Sequence, residues 1–204
     1  MIFNLTQGLI LVLSYFAGSI PFGLIITQIA GYGDIRTIGS GNIGATNVLR
    51  TGKKTLALLT LFFDFFKGWG VVVIAKKFGV EDLAAILVVL GHMFPIWLDF
   101  KGGKGVATYG GVLMALSVPL GMQAILGWMA FLLLFKYSSL AALFVAVLVP
   151  LSVWVWHYGG LLTPTLILSA LVCVKHAPNI QRLLKGDEPK VGQDKRKESQ
   201  SKKV

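Results

Sequence analysis

Two lysines interleaved with three glycines, in DFKGGKGVAT at 99–108, are the residues of this chain best suited to chemistry. Glycines let a ligand approach the backbone N–H groups, and ammonium groups supply charge, so the pattern suits a phosphate. It is not a P-loop, which needs Gly, four residues and then Gly-Lys-Ser/Thr after a strand; here Lys104 is followed by Gly105. No G-x-G-x-x-G sits in a βαβ context either, so a nucleotide is not indicated. A generic anion site remains. Lys101 and Lys104 supply the charge, and Gly102, Gly103 and Gly105 expose amides where an apolar helix containing Thr108 begins, its positive dipole end facing the loop. A lysine snorkelling at a membrane interface beside a flexible turn is the competing reading.

Two further segments carry similar chemistry. In GDIRTIGSGNIGATNVLRTGKK, residues 33–54, Ser40, Asn42, Thr46 and Asn47 surround Gly39, Gly41 and Gly44. Their hydroxyls and amides can bond an oxyanion, and Arg50 adds a planar fork for phosphate. A solvated turn with a helix cap would have the same composition. In VKHAPNIQRLLKG, residues 174–186, His176 and Asn179 are three apart and could share a helix face, although Pro178 interrupts it. A lone interface histidine is usually structural; its placement opposite two anion loops favours a role. Ser138 and Ser139 open a later apolar run, where they either join the site or cap the helix.

Composition says what must position these loops. The chain has 204 residues, 55% hydrophobic and only 14% charged. A soluble domain would carry about a quarter charged residues, so the surplus apolar surface needs a lipid solvent. We expect an all-α integral membrane protein with seven transmembrane helices: about 4–30 (kinked at Pro21 and Gly23), 55–76, 82–98, 105–119, 120–136, 139–157 and 161–176. The fourth and fifth could be one helix, but thirty helical residues reach about 45 Å, and SVPLG in the middle favours a turn. The N-terminus lacks a basic n-region and reads as a retained first span.

Charge orients the bundle. Nine of the 19 Lys and Arg residues follow residue 174. With that tail inside, Arg36, Arg50, Lys53, Lys54, Lys101, Lys104 and Lys136 are also inside, leaving only Lys76 and Lys77 outside. The N-terminus is therefore expected outside and the C-terminus in the cytoplasm, with all three polar segments on the cytoplasmic side. Residues 1–186 form the helical domain and 187–204, nearly devoid of apolar residues, a basic disordered tail. Asp64 and Lys67, three apart within the second span, are either functional or an internal ion pair that locks helix packing. Cys173 reads as a buried apolar residue, and His157, on the outer side, has no assigned role. No His, Cys or Glu cluster has metal-ligand spacing, no G-x-S-x-G elbow occurs, and no His-x4-Asp pair is present. No nucleic-acid signature accompanies the basic charge.

SGNIGATNVLR (40–50), GHMFPIWLDFKGGKGVAT (91–108) and HAPNI (176–180) together resemble the three cytoplasmic motifs of the bacterial membrane acyl-phosphate:glycerol-3-phosphate acyltransferases, in the same order, over residues 1–186. The resemblance implies an enzyme of the bacterial inner membrane, with its active site at the cytoplasmic face. It would move a fatty acyl group from acyl phosphate to the 1-hydroxyl of sn-glycerol 3-phosphate, giving lysophosphatidic acid and phosphate for phospholipid synthesis. It implies functional roles for Ser40, Arg50, Lys104, His176 and Asn179, with the glycines at 102, 103 and 105. No cofactor, metal or nucleic acid is expected; the partners are the two substrates and membrane lipid, and the protein is expected to act as a monomer. An acyl phosphate is already activated, so the lack of an obvious protein base suggests substrate-assisted catalysis. Lys104, Arg50 and the 102–105 backbone would bind phosphate. Ser40, Asn42, Thr46 and Asn47 would position the donor, and His176 and Asn179 the acceptor. An organic-phosphate transporter should instead place its polar site near the midplane in paired broken helices, and a lipid-binding protein would not consume acyl phosphate.

Overall fold

The computed structural model describes residues 4–192, and every regular element among them is helical. The first apolar segment is two helices, α1 (Leu5–Gly18) and α2 (Phe22–Ile29), bent by 45°. Pro21 lacks an N–H and sits at the break, where the sequence placed the kink. Asn4 caps α1: its Oδ1 accepts from the Gln7 N–H at 2.8 Å, and Gln7 returns the bond to the Asn4 N–H at 3.1 Å.

A short helix α3 (Ala45–Val48) precedes α4 (Lys54–Lys76), α5 (Glu81–Met93), α6 (Val106–Leu116), α7 (Val118–Phe135), α8 (Ser138–Val155), α9 (Leu162–Lys175) and α10 (Ala177–Lys185). The turn expected at SVPLG falls at Ser117, a few residues early. Its extended backbone ends α6, and Pro119 opens α7, where a missing N–H costs nothing. α5 stops at Met93, short of the expected 98, because Pro95 cannot continue it; a single 3₁₀ turn, Ile96–Leu98, follows.

By length and composition α4, α7, α8 and the Glu81–Leu98 stretch can each cross a membrane, and the bent α1–α2 pair adds a fifth candidate if it forms one span. α6 and α9, with 11 and 14 residues, are shorter apolar helices. Large apolar side chains such as Leu9, Phe62, Leu133, Leu134, Val147 and Trp154 are exposed on the outside of the bundle. A surface of this kind is stable only against lipid.

Lipid gives helices no hydrophobic reason to associate, so close backbone approach has to do it. Two seams show how. A side chain at Gly18 would strike the Val88 carbonyl, and one at Gly91 the Tyr15 carbonyl, so α1 and α5 cross through glycine. In the α4–α6 seam, Gly68 rests on the Thr108 carbonyl and Gly111 on that of Phe65. The core behind these seams contains Val72, Val88, Val89, Met93, Val112, Leu113, Val149 and Leu168.

Residues 187–192, expected at the start of a disordered tail, pack back on the bundle. The Val191 N–H donates to the Lys136 carbonyl at 2.8 Å, and Glu188 is buried. Polar composition hid this because the segment is anchored by hydrogen bonds, not by apolar burial. The expected tail from 193 to 204 lies outside the described residues.

Candidate active site

Three polar segments, far apart in sequence, meet at one end of the helices. The first, from Asp34 to Gly52, is folded on itself by Asn47. Its Oδ1 accepts from the Ser40 N–H at 3.0 Å and the Ser40 hydroxyl at 3.3 Å, and its Nδ2 donates to the carbonyls of Ile35 and Ile38 at 3.0 and 2.9 Å. Asn47 is 2% exposed, and its amide is occupied at both ends. It therefore shapes the loop from within. Asn42 closes a smaller turn by accepting from the Gly44 N–H at 3.0 Å. Ser40, Gly41, Thr46 and Arg50 remain exposed on the loop. The Arg50 stem passes over Gly39, where a side chain would collide with it. The loop is tied to the bundle by Thr46, whose hydroxyl lies 3.2 Å from that of Ser138 at the start of α8.

The second segment runs into α6. The N–H groups of Gly102 and Gly103 donate to the carbonyls of Met93 and His92 at 3.2 and 3.0 Å, folding the loop back on the end of α5. Gly105 has φ of 77°, a left-handed conformation that glycine adopts without strain, and it aims the chain into α6. The Lys175 ammonium donates to the Met93 carbonyl at 3.0 Å and lies 4.5 Å from the centre of the Phe94 ring, closing the loop from the α9 side. Thr108, one turn into α6, is fully buried, and its Oγ1 has no partner among the described residues. Lys101 is exposed, and its N–H donates to the Leu98 carbonyl at 2.9 Å.

The third segment is the junction of α9 and α10. His176 is 2% exposed, and its Nδ1 donates to the Val172 carbonyl at 2.8 Å, since a carbonyl can only accept. In the neutral ring this leaves Nε2 as the acceptor. Asn179 is buried, with its Oδ1 unpartnered and its Nδ2 donating to Glu188 Oε1 at 2.6 Å. The Ser139 hydroxyl donates to the same oxygen at 2.6 Å, while Arg182 Nε donates to Oε2 at 2.7 Å. Glu188 thus joins α8, α10 and the C-terminal segment, and sequence reasoning missed it and Arg182 entirely. Burial opposes the Glu188 charge, yet the bonds from Ser139, Asn179 and Arg182 hold its carboxyl below the usual range.

Lys104 stands among these groups. Burial pushes its ammonium down to about 8; Glu188 acts in the opposite sense, and the charges of Arg182, Arg50 and Lys175 push it further down. A site with several cations around one engaged carboxylate has an uncompensated positive field. The neutral donors Ser40, Ser138 and Thr46 stand at its edge. Such a field suits a dianionic ligand. No group of three or more His, Cys, Asp or Glu residues placed to hold a metal occurs among the described residues.

Known proteins resemble this chain over nearly its whole length. The profile of a family described as glycerol-3-phosphate acyltransferase matches residues 8–186. Glycerol-3-phosphate acyltransferases of Methylorubrum populi and Brucella anthropi are 55% and 50% identical, covering 90% and 89% of this chain and 92% of each relative. The crystal structure of PlsY (YgiH), an integral membrane glycerol 3-phosphate acyltransferase, in its glycerol 3-phosphate form superposes with a TM-score of 0.87 at 38% identity, covering 92% of this chain and 96% of that one. Its lysophosphatidic acid form gives 0.85 at 37% identity, covering 91% and 95%. The three polar segments are held together by multi-pass helices, and with these likenesses they show that the chain belongs to the glycerol-3-phosphate acyltransferase family.

Proposed function

We propose that this site transfers a fatty acyl group from acyl phosphate to the 1-hydroxyl of sn-glycerol 3-phosphate. The observation that carries the reading is the positive field around Lys104, beside a carboxylate whose oxygens are already occupied. Both substrates bring a phosphate, and the relatives' crystal forms contain glycerol 3-phosphate and lysophosphatidic acid. Lys104, Arg50 and the Gly105 amide bind phosphate oxygens, while Gly102 and Gly103, whose N–H groups are spent on the Met93 and His92 carbonyls, shape the loop instead of exposing amides as expected. Ser40, Gly41, Asn42, Thr46 and Ser138 line the donor side, Asn47 keeps their loop in shape, and Ser139, expected to bind substrate, instead holds Glu188. His176 and Asn179 orient the acceptor, Asn179 with its unpartnered Oδ1. Lys101 and Thr108 flank the loop on either side.

The hydroxyl oxygen attacks the acyl carbonyl and forms the ester bond. The bond from the acyl carbon to the phosphate oxygen breaks, and its electrons leave with the phosphate. That phosphate takes the hydroxyl proton, so hydrogen phosphate departs and no protein base is required. The protein contributes position, charge and exclusion of water. This chemistry needs neither cofactor nor metal, because the donor is already activated.

The same reading sets the membrane arrangement. The α1–α2 pair, α4, α5, α6, α7, α8 and α9 make seven crossings, the short ones sheltered by neighbours, with the N-terminus outside and the C-terminus in the cytoplasm of a bacterium. The protein works as a monomer in the inner membrane. Residues 1–186 are the helical enzyme domain, to which Glu188 adds a carboxylate at the site, and the basic charge beyond it is drawn to anionic lipid. The acyl chain enters between helices from the bilayer while glycerol 3-phosphate arrives from water. The test is purified protein with palmitoyl phosphate and glycerol 3-phosphate: phosphate release must depend on the acceptor, and palmitoyl-CoA must not replace the donor. Release that ignores the acceptor would defeat the proposal.

The value for Lys104 predicts a pH profile. Below about pH 8 the free enzyme holds the cation, and above it the proton is lost. Since kcat/KM reports the free enzyme, it should fall as pH rises through about 8. Arginine stays charged there, so Lys104→Arg should remove that alkaline limb, whatever its activity at neutral pH. An identical limb in the arginine variant would assign the titration elsewhere.

A further inference from the structure

The buried charges of α4 play no part in the reaction as described. Asp64 and Lys67 are 3% and 5% exposed at their side chains and 2.7 Å apart. An ammonium has three donors and no acceptor, and Lys67 finds three acceptors. Besides Asp64 Oδ1, they are the Ile20 carbonyl at 2.9 Å and His92 Nδ1 at 2.9 Å. Ile20 is at the break between α1 and α2, beside Pro21, and His92 is in the last turn of α5. One ammonium therefore ties α4 to the broken first span and to the end of α5.

His92 carries the connection onward. With Lys67 donating to its Nδ1, the neutral ring bears its proton on Nε2. That edge lies directly against Gly103, where any added Cβ would fall on the imidazole. The His92 carbonyl accepts from the Gly103 N–H at 3.0 Å, and the next carbonyl, of Met93, accepts from Gly102. The ring forms the floor of the glycine loop and the backbone beside it forms the hinge. Lys104 is the next residue after Gly103.

We infer that Asp64, Lys67 and His92 are positioning residues whose network fixes the shape of the 102–105 loop and so the placement of the Lys104 ammonium. An ion pair retained only to hold helices together is a poor use of buried charge, because apolar residues of the same volume commonly pack as well or better. A network that also sets a rotamer beneath a ligand-binding backbone gains accuracy that apolar contacts do not give. Gly103 is glycine because the ring occupies its side-chain space. Its φ is not left-handed, so the backbone itself would accept alanine.

This inference rests on the reading of Lys104 as a phosphate ligand, and the experiment separates the two. His92→Asn keeps an oxygen acceptor for Lys67 but empties the floor under Gly103. Gly103→Ala alone collides with the ring. The variants are compared with their double mutant in kcat/KM for glycerol 3-phosphate and palmitoyl phosphate, and in thermal unfolding in detergent. Each single change should lower kcat/KM by roughly tenfold to hundredfold, with unfolding near wild type for His92→Asn. The double mutant should recover activity relative to Gly103→Ala, since the new methyl enters the vacated space. The apolar pair Asp64→Leu with Lys67→Met should lose activity while still folding. If that pair fails to fold, the His92 and Gly103 cycle decides alone. Wild-type kcat/KM in His92→Asn, additive effects in the cycle, or activity that falls only in step with unfolding would each overturn the positioning role. If Lys104→Ala were fully active, the phosphate reading itself would fail instead.

Discussion

Lys104→Ala is expected to reduce turnover by about 10³-fold, at the upper end of what loss of one preorganised donor costs, while leaving the protein at least as stable as wild type. Both halves follow from the surroundings of the ammonium. Burial and the charges of Arg182, Arg50 and Lys175 disfavour a cation there, and only Glu188 favours it. The folded chain thus holds a charge at a cost that it escapes in the unfolded state. Because the folded value, about 8, lies below the ordinary lysine value of 10.5, the destabilisation is complete below about pH 8 and fades as pH rises toward the unfolded value. Alanine removes it. A bound phosphate reverses the balance by adding two negative charges, so the cost is recovered when substrate binds. The measurement is single-turnover acyl transfer beside thermal unfolding in detergent at pH 7. A variant that lost activity and stability together would make Lys104 a structural residue.

That contrast also shows what was legible in the sequence. Breaks dictated by proline were readable: the bend at Pro21 and the turn before Pro119 are consequences of a missing N–H, a local property. So was the gathering of polar segments, because glycine, hydroxyl and amide residues have no reason to interrupt apolar runs unless they meet one another. Side-chain direction was not readable. Asn42 and Asn47 look alike in SGNIGATN, yet one closes a small turn at the surface and the other is buried as the clasp of the whole loop. Which is which depends on how residues 35–47 close. His92 and Lys67 are 25 residues apart on different helices, and only the α4–α5 packing brings them to 2.9 Å. The substrate was suggested by resemblance of three motifs taken together; charge and glycine alone specify an anion. Helix ends were legible only to within a few residues: α6 stops at Leu116, short of the expected 119, because Ser117 is extended and Pro119 sits in the first turn of α7.

Glu188 is the residue least visible in sequence, and removing it should be damaging too, though less so than removing Lys104. GDEPK reads as solvated chain, yet one carboxylate there accepts from Ser139, Asn179 and Arg182 at 2.6, 2.6 and 2.7 Å. Glu188→Ala strands two buried donors, at about 1–3 kcal/mol each, and frees the Asn179 amide nitrogen, whose neighbouring Oδ1 has no partner among the described residues. We expect about a 10²-fold loss in kcat/KM, from lost geometry at the acceptor side. Glu188→Gln separates geometry from charge. Its amide oxygen can still accept from Ser139 and Asn179, so much of the geometry survives. The negative charge does not, and with it goes the one influence that raises the Lys104 value. The alkaline limb of kcat/KM should therefore move below pH 8 in Glu188→Gln, with modest loss at pH 6.5 and a larger one at pH 8. Were the limb to stay in place while activity fell equally at every pH, Glu188 would act on the site through shape alone, and the titration of Lys104 would be independent of it. A shift that disappears in the double variant with Lys104→Arg would locate the titrating proton on Lys104 and identify Glu188 as the residue that keeps it there.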